Sequence, residues 1–133
     1  MYKLSDAVTL FVNQTTVINS LWGIYVAATF AAAGFGATSN AHVVARAAIT
    51  FGFWAFTLGH LRLITDALVT TKLLGSAITK TIDIAEQDSI SVEFAELLKQ
   101  VAGKAKTPWI SVAIHLFIDL CVTTAIWTPF LLR

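Results

Sequence analysis

The sequence predicts an all-α integral membrane protein with three transmembrane helices and a cytoplasmic helical hairpin between the second and the third. Of its 133 residues, 56% are hydrophobic and 13% are charged, and the mean hydropathy is +0.74. A soluble domain usually carries about a quarter charged residues. The stretch from Ala7 to Ala45 contains no Asp, Glu, Lys or Arg. The length suits one domain, so we expect a single membrane domain over residues 1–133.

Three stretches have the length and apolarity of membrane spans, since roughly 20 mostly apolar residues cross the hydrocarbon as a helix. These stretches are residues 17–36, 43–66 and 108–130. A helical lead-in from about Ser5, whose hydroxyl can cap a helix, precedes the first span. The third span begins at Pro108, a residue favoured at the first helical position, and carries Trp109 and Trp127 where aromatic belts occur.

Residues 70–106 are the predicted soluble part of the chain. Apolar residues recur at helical spacing from Ala67 to Ile82, so the second span is expected to continue beyond the membrane as an amphipathic stalk. A break at Gln87–Ser89 and a short helix ending at Gly103 complete the predicted hairpin. Its acidic and basic side chains are mixed, which is typical of a solvated surface.

The basic residues predict the orientation of the chain, because cytoplasmic loops carry an excess of Lys and Arg. The side with the N-terminus and the hairpin carries Lys3, Lys72, Lys80, Lys99, Lys104 and Lys106, and the other side carries Arg46 and Arg133. This excess of six basic residues over two predicts a cytoplasmic N-terminus and an external C-terminus. The membrane is expected to be a bacterial inner membrane or an equivalent one. No small-residue cleavage site follows a short apolar stretch, so we expect the first span to be retained.

Charge and motif content disfavour several classes of function. A net charge of +1 gives no basic excess for nucleic acid, and no nucleic-acid partner is expected. The single cysteine, Cys121, excludes an internal disulfide framework and a cysteine-rich zinc site, and no metal site is predicted. The sequence has no phosphate-binding glycine loop, no Gly-x-Ser-x-Gly turn and no His-Glu-x-x-His pair. We expect that the chain is not an enzyme, or that it anchors one.

One face of the third span is polar. Ser111, His115, Asp119, Thr123 and Trp127 follow one another at four-residue spacing, which places them on one side of a helix. Asp119 lies near the middle of the span, and an ionisable residue at that depth is costly unless it has a function or a partner. We therefore expect an ion, proton or ligand site at Asp119 and His115, with Ser111 and Thr123 beside them; a hydrogen-bonded packing seam is the alternative.

The second span offers the third two different partners. His60 lies at the same expected depth as His115, whereas Arg62 and Asp66 are i+4 neighbours that form a possible charge pair. His60 and Arg62 differ by about 200° around the helix. Within a monomer the third span therefore meets either His60 or the pair of Arg62 and Asp66. For Arg62 and Asp66 we favour exposure near the interface, where a long basic side chain reaches the headgroups.

Small residues form rows along the first two spans, a pattern that lets helices approach closely in lipid. The helix-packing candidates are Gly23, Ala27 and Ala31 in one row of the first span, Ala28, Ala32 and Gly36 in the row beside it, and Gly52, Ala55 and Gly59 on the second span. One chain of three spans has too few neighbours to cover these rows and the stripe around Asp119. The pattern therefore predicts oligomerisation.

These features lead to three functional hypotheses. The first is a small membrane subunit that assembles with itself or with other membrane subunits, surrounded by lipid. The second is a proton or ion channel or transport subunit that uses Asp119. The third is a membrane anchor of a redox complex, in which His60 and His115 ligate a haem b or in which His115 and Asp119 bind a quinone. No cofactor is predicted under the first two.

Overall fold

The chain consists of four α-helices in the computed structural model, which describes residues 4–38, 42–85, 92–103 and 108–132. The helices are α1 (Leu4–Gly36), α2 (Val43–Ala85), α3 (Val92–Gly103) and α4 (Pro108–Leu131). The described residues contain no strand. The predicted all-α class is therefore confirmed, whereas the predicted break at Gln87–Ser89 lies outside the described residues.

Helices α1, α2 and α4 are each long and apolar enough to cross a membrane. They contain 33, 43 and 24 residues, or about 50, 65 and 36 Å at a rise of 1.5 Å per residue. The hydrocarbon core is about 30 Å thick. Since α1 and α2 exceed this thickness, both project beyond the membrane, as the predicted lead-in and stalk require. Large apolar side chains such as Phe30, Phe51 and Phe117 point outward, where lipid takes the place of a protein core.

Within the membrane, α1 and α2 pack against each other and α4 packs against both. Two apolar clusters lie towards the two ends of this three-helix bundle, the first between α1 and α2 and the second between α2 and α4. The proximal cluster, next to the α2–α3 hairpin, comprises Ile18, Ile64, Ala67 and Leu68. The distal cluster, at the opposite end, comprises Phe53, Val122 and Ile126. The buried face of α4 between these clusters is polar.

Beyond the membrane, the start of α1, the end of α2 and α3 form a second small bundle. Its core is made by Ile78, Ile82, Ala95 and Ala102, with Leu4, Val8, Phe11 and Leu98 packed against it. An ion pair of 2.8 Å joins Lys99 of α3 to Asp83 of α2. Both α1 and α3 pack on α2, and side chains from the start of α1 also pack on the cluster to which α3 contributes Ala95 and Ala102. The backbone of α3 approaches most closely to that of α2.

Gly75 permits the closest approach in the second bundle. A Cβ atom added at Gly75 would lie 2.7 Å from the backbone oxygen of Ala102, a separation that side chains do not reach. Gly36 plays a similar part in the membrane, where a Cβ atom would collide with the side chain of Ile126. Helix α3 thus lies against the bare backbone of α2 at Gly75.

Arg46 ties the distal ends of three helices together. Its side chain is only 1% exposed and donates hydrogen bonds to the carbonyl oxygens of Gly36, Thr38 and Ile126. Gly36 ends α1 and Ile126 lies in the last turns of α4, so the guanidinium sits where two helix dipoles present their negative ends. Pro129 lacks an N–H and cannot bond the carbonyl of Ala125, the residue before Ile126, so the helix is loosened in this part of α4.

The close approach at Gly75 predicts a local effect of substitution. Gly75→Ala should weaken the docking of α3 by about 1–3 kcal/mol, because the backbone of α3 must move away. Gly23→Ala is the matched control, since a Cβ atom there meets nothing within 4 Å and Ala favours the helix. Hydrogen exchange of the amides of α3 checks this in lipid. Exchange should accelerate in Gly75→Ala only; equal rates in both variants would contradict the packing described.

Candidate functional site

The buried face of α4 carries the polar residues that its periodicity singled out. Ser111, His115 and Asp119 are 3%, 0% and 2% exposed, and each lies one turn after the previous one. Thr123 continues the stripe and is half-buried, as the face turns gradually away from α1 and α2. The stripe is therefore covered by the other two spans of the same chain.

His60 of α2 meets His115 of α4. His60 Nδ1 and His115 Nε2 are 3.1 Å apart, and the two rings are stacked with centroids 5.3 Å apart. The second ring nitrogen of His60, Nε2, lies 2.9 Å from the carbonyl oxygen of Leu21 in α1. One continuous line of hydrogen bonds thus crosses all three spans.

Tyr25 of α1 supplies the partner of Asp119. Its hydroxyl donates a hydrogen bond of 2.8 Å to Asp119 Oδ1 and lies 3.2 Å from the carbonyl oxygen of His115. Thr57 of α2 faces the same carboxyl group and is 1% exposed. We call Tyr25, His60, His115 and Asp119 the polar cluster; its members come from all three spans and each is more than nine-tenths buried.

Aromatic rings pack around the polar cluster. The ring of Tyr25 stacks on His115 at a centroid distance of 3.9 Å, and Trp22 packs against both rings. On the other side Phe56 stacks on His60 at 5.5 Å. Such contacts fix the ring planes, and with them the directions in which the histidine nitrogens point.

The hydrogen bonds determine which nitrogen of each neutral histidine carries the proton. A carbonyl oxygen only accepts, so His60 Nε2 must donate to Leu21 and His60 Nδ1 is left as an acceptor. His115 Nε2 then donates to His60 Nδ1, which leaves His115 Nδ1 without a proton. This atom is buried and forms no hydrogen bond of normal geometry with the described residues. The backbone carbonyl of Ser111, one turn earlier, is an acceptor close to the His115 ring. The cluster therefore contains one buried, unused basic nitrogen.

Two further hydrogen bonds join α2 and α4 on the distal side of the polar cluster. The indole of Trp54 donates to the Thr123 hydroxyl at 3.1 Å, and the indole of Trp127 donates to Thr50 at 3.1 Å. Each pair uses one residue from each helix, so the contacts set the height of α4 relative to α2. Thr123, predicted as part of a site, serves here as an acceptor between helices.

The remaining charged candidates lie outside the cluster. Arg62 and Asp66 are both exposed, as the favoured interpretation expects, and α4 meets the histidine on the other side of α2. The charge pair between Arg62 and Asp66 stays a prediction.

The rows of small residues fall into two groups. Ala28, Ala32 and Gly36 are half-buried or buried within the chain, and Ala32 packs on the distal cluster. The exposed members are Gly23, Ala27, Ala31, Gly52, Ala55 and Gly59. One row thus serves the packing of this chain, and two rows face outward.

The geometry does not fit a haem ligated by both histidines. Such a haem would lie between the two rings, but the facing nitrogens are 3.1 Å apart and hydrogen-bonded to each other. The ring of Tyr25 stacks on both histidines and that of Phe56 stacks on His60. Among the residues that the structure describes, no group of three His, Cys, Asp or Glu side chains is arranged to hold a metal ion.

The sequence alone did not identify Tyr25, Trp22 and Thr57 as parts of the site. Tyr25 carried a usable signal, because its hydroxyl lies in the middle of a span rather than at an interface. Thr57 lies three residues before His60 and thus on the same face of α2. Neither signal indicates which residue of the third span is the partner.

In comparisons with known proteins, no family model, no curated protein and no solved structure matches the chain. Any functional conclusion therefore depends on the geometry of the site.

The proton positions derived above can be measured directly. In bilayers, ¹⁵N NMR of histidine-labelled protein should show both His60 and His115 with the proton on Nε2 and an unprotonated Nδ1 when both are neutral. His42 is exposed and provides the solvent-averaged reference. A proton on Nδ1 of neutral His115 would contradict the hydrogen-bond pattern.

Proposed function

We propose that this chain is a membrane proton-transport subunit in which the polar cluster binds and releases one proton in the interior of the bilayer. The observation that carries the proposal is the unpartnered Nδ1 atom of His115, a buried base in a network that is otherwise satisfied. Buried polar atoms are almost always paired, and an exception needs an explanation. A nitrogen with a free lone pair can receive a proton without first breaking another hydrogen bond.

The charge of the polar cluster supports the same function. An ionised Asp119 with two neutral histidines leaves a net negative charge in a medium of low dielectric constant, which is costly. One added proton makes the cluster neutral overall. It is held either as a carboxylic acid at Asp119 or as an imidazolium at the histidine pair. His60 and Asp119 are thus parts of one proton-binding unit with His115.

The apolar clusters at the two ends favour stepwise transfer over an open pore. The proximal cluster of Ile18, Ile64, Ala67 and Leu68 lies on one side of the histidines, and the distal cluster lies on the other. Water does not enter packed apolar side chains. Proton release past the distal cluster, which joins α2 and α4, therefore requires that its side chains move apart.

We place the N-terminus in the cytoplasm and the C-terminus outside, in a bacterial inner membrane or an equivalent one. The support is the excess of lysines at the hairpin side. Arg46 adds no exposed positive charge to the opposite side, because its buried guanidinium donates to carbonyl oxygens within the protein. The difference in exposed basic residues between the two sides is therefore larger than the sequence count.

Proton flux into liposomes tests the proposal. The protein in quinone-free liposomes should acidify the lumen under an applied potential, and Asp119→Asn should reduce the rate to that of empty liposomes, because the amide neither binds nor releases a proton. Asp6→Asn makes the same chemical change at an exposed site and should leave the flux unchanged. The absence of flux in the wild type, or equal flux in Asp119→Asn, would overturn the proposal.

Assembly as a membrane subunit is the second candidate, and the two exposed rows of small residues favour it. The polar stripe of α4 no longer contributes to this argument, because α1 and α2 of the same chain cover it.

Native mass spectrometry in a mild detergent tests the second candidate. We expect a multiple of 14.4 kDa, or a larger complex with other chains. Gly23→Leu should reduce the assembled fraction, since a larger side chain blocks close helix approach. Gly103→Leu serves as the control outside the membrane. A wild-type protein that is monomeric at all concentrations would contradict this candidate.

A further inference from the structure

An apolar groove on the outer surface of α1 and α2 leads to His60. Its volume is about 330 Å³, and its lining comprises Leu21, Ile24, Ala55, Phe56, Gly59, His60 and Leu63. The groove lies within the membrane-spanning parts of both helices, so it opens to lipid. His60 is the only ionisable residue of this lining.

The groove exists because α2 has small residues at its edge. A Cβ atom added at Gly59 would meet nothing within 4 Å, and Ala55, one turn earlier, is exposed as well. Ligand pockets of proteins measure about 300–1,000 Å³. The groove is at the lower limit of this range, which suits one ring rather than a larger molecule.

The polar group at the floor of the groove is a hydrogen-bond donor. His60 Nε2 donates to the Leu21 carbonyl at 2.9 Å, and that carbonyl also receives the ordinary helical bond from the Tyr25 N–H. Loss of the His60 bond therefore does not leave the carbonyl unsatisfied. His60 is 4% exposed, and Phe56 adds an aromatic face beside it.

We propose that the groove binds the head group of a lipid-soluble quinone, whose carbonyl oxygen accepts a hydrogen bond from His60 Nε2 in place of the Leu21 carbonyl. A single ring matches the volume of the groove and can lie beside Phe56. An oxygen acceptor matches the single donor, and access from lipid requires an apolar molecule. No electron transfer is part of this proposal. The inference goes beyond proton transport and does not depend on it.

Titration of the protein in nanodiscs with decylubiquinone tests the proposal. Binding should be saturable, and it should shift the ¹⁵N resonance of His60 Nε2 as the acceptor changes. Gly59→Leu fills the groove and should weaken binding at least about tenfold, or 1.4 kcal/mol. Gly52→Leu is the matched control: it lies two turns away on the same helix, and a Cβ atom there also meets nothing within 4 Å.

Three results would overturn the proposal: no saturable binding, equal binding in Gly59→Leu and Gly52→Leu, or binding without a shift of the His60 resonance. Dissociation of an oligomer by Gly59→Leu without any binding of quinone would also overturn it and identify the groove as a contact between chains. Flux through quinone-free liposomes is measured separately, so failure of quinone binding leaves the proton-transport proposal intact.

Discussion

The hydrogen bond between His60 and His115 is the contact on which the membrane part of this protein depends. In lipid, apolar side chains gain little by leaving the acyl chains for another helix, so association and register depend on close packing and polar contacts. The histidine pair joins α2 to α4, and the same ring of His60 contacts the backbone of α1. Tyr25 and Asp119 add the direct link between α1 and α4. Because these partners are buried and cannot turn to water, a shift of any helix by one residue would leave several polar atoms unsatisfied at once.

Arg46 is a second buried polar side chain, at the distal end of the bundle, and its hydrogen-bond partners are of a different kind. A guanidinium inside the protein needs acceptors, and here the carbonyl groups at the ends of α1 and α4 provide them. The negative ends of the two helix dipoles take the role that a carboxylate has in an ion pair. The sequence presented Arg46 as a charge near the end of a span. Its buried position became apparent only when the ends of three helices were brought together.

The spans, the stalk and the polar face of α4 were predictable because they depend on hydropathy and helical period, which are local properties of the sequence. Which residues of α2 face α4 could not be predicted, because this depends on the rotation of α2 about its axis. His60 and Arg62 were both candidates, and the structure places Arg62 on the exposed side. Tyr25 was missed for the same reason. Oligomerisation was predicted partly because a single chain was expected to have too few helices to cover the stripe of α4. In the structure, two helices cover Ser111, His115 and Asp119.

The unbroken length of helix α2 has a mechanical consequence. It is one uninterrupted rod from Val43 to Ala85, so His60 in the membrane and Ile82 in the extramembrane bundle belong to the same rigid body, about 33 Å apart at 1.5 Å per residue. A lever of this length converts a small tilt at the histidine pair into a displacement of several ångströms at its far end. Since α3 packs on the far end of α2, α3 would travel with the lever. A tilt of α2 at the buried cluster would thereby move a surface outside the membrane.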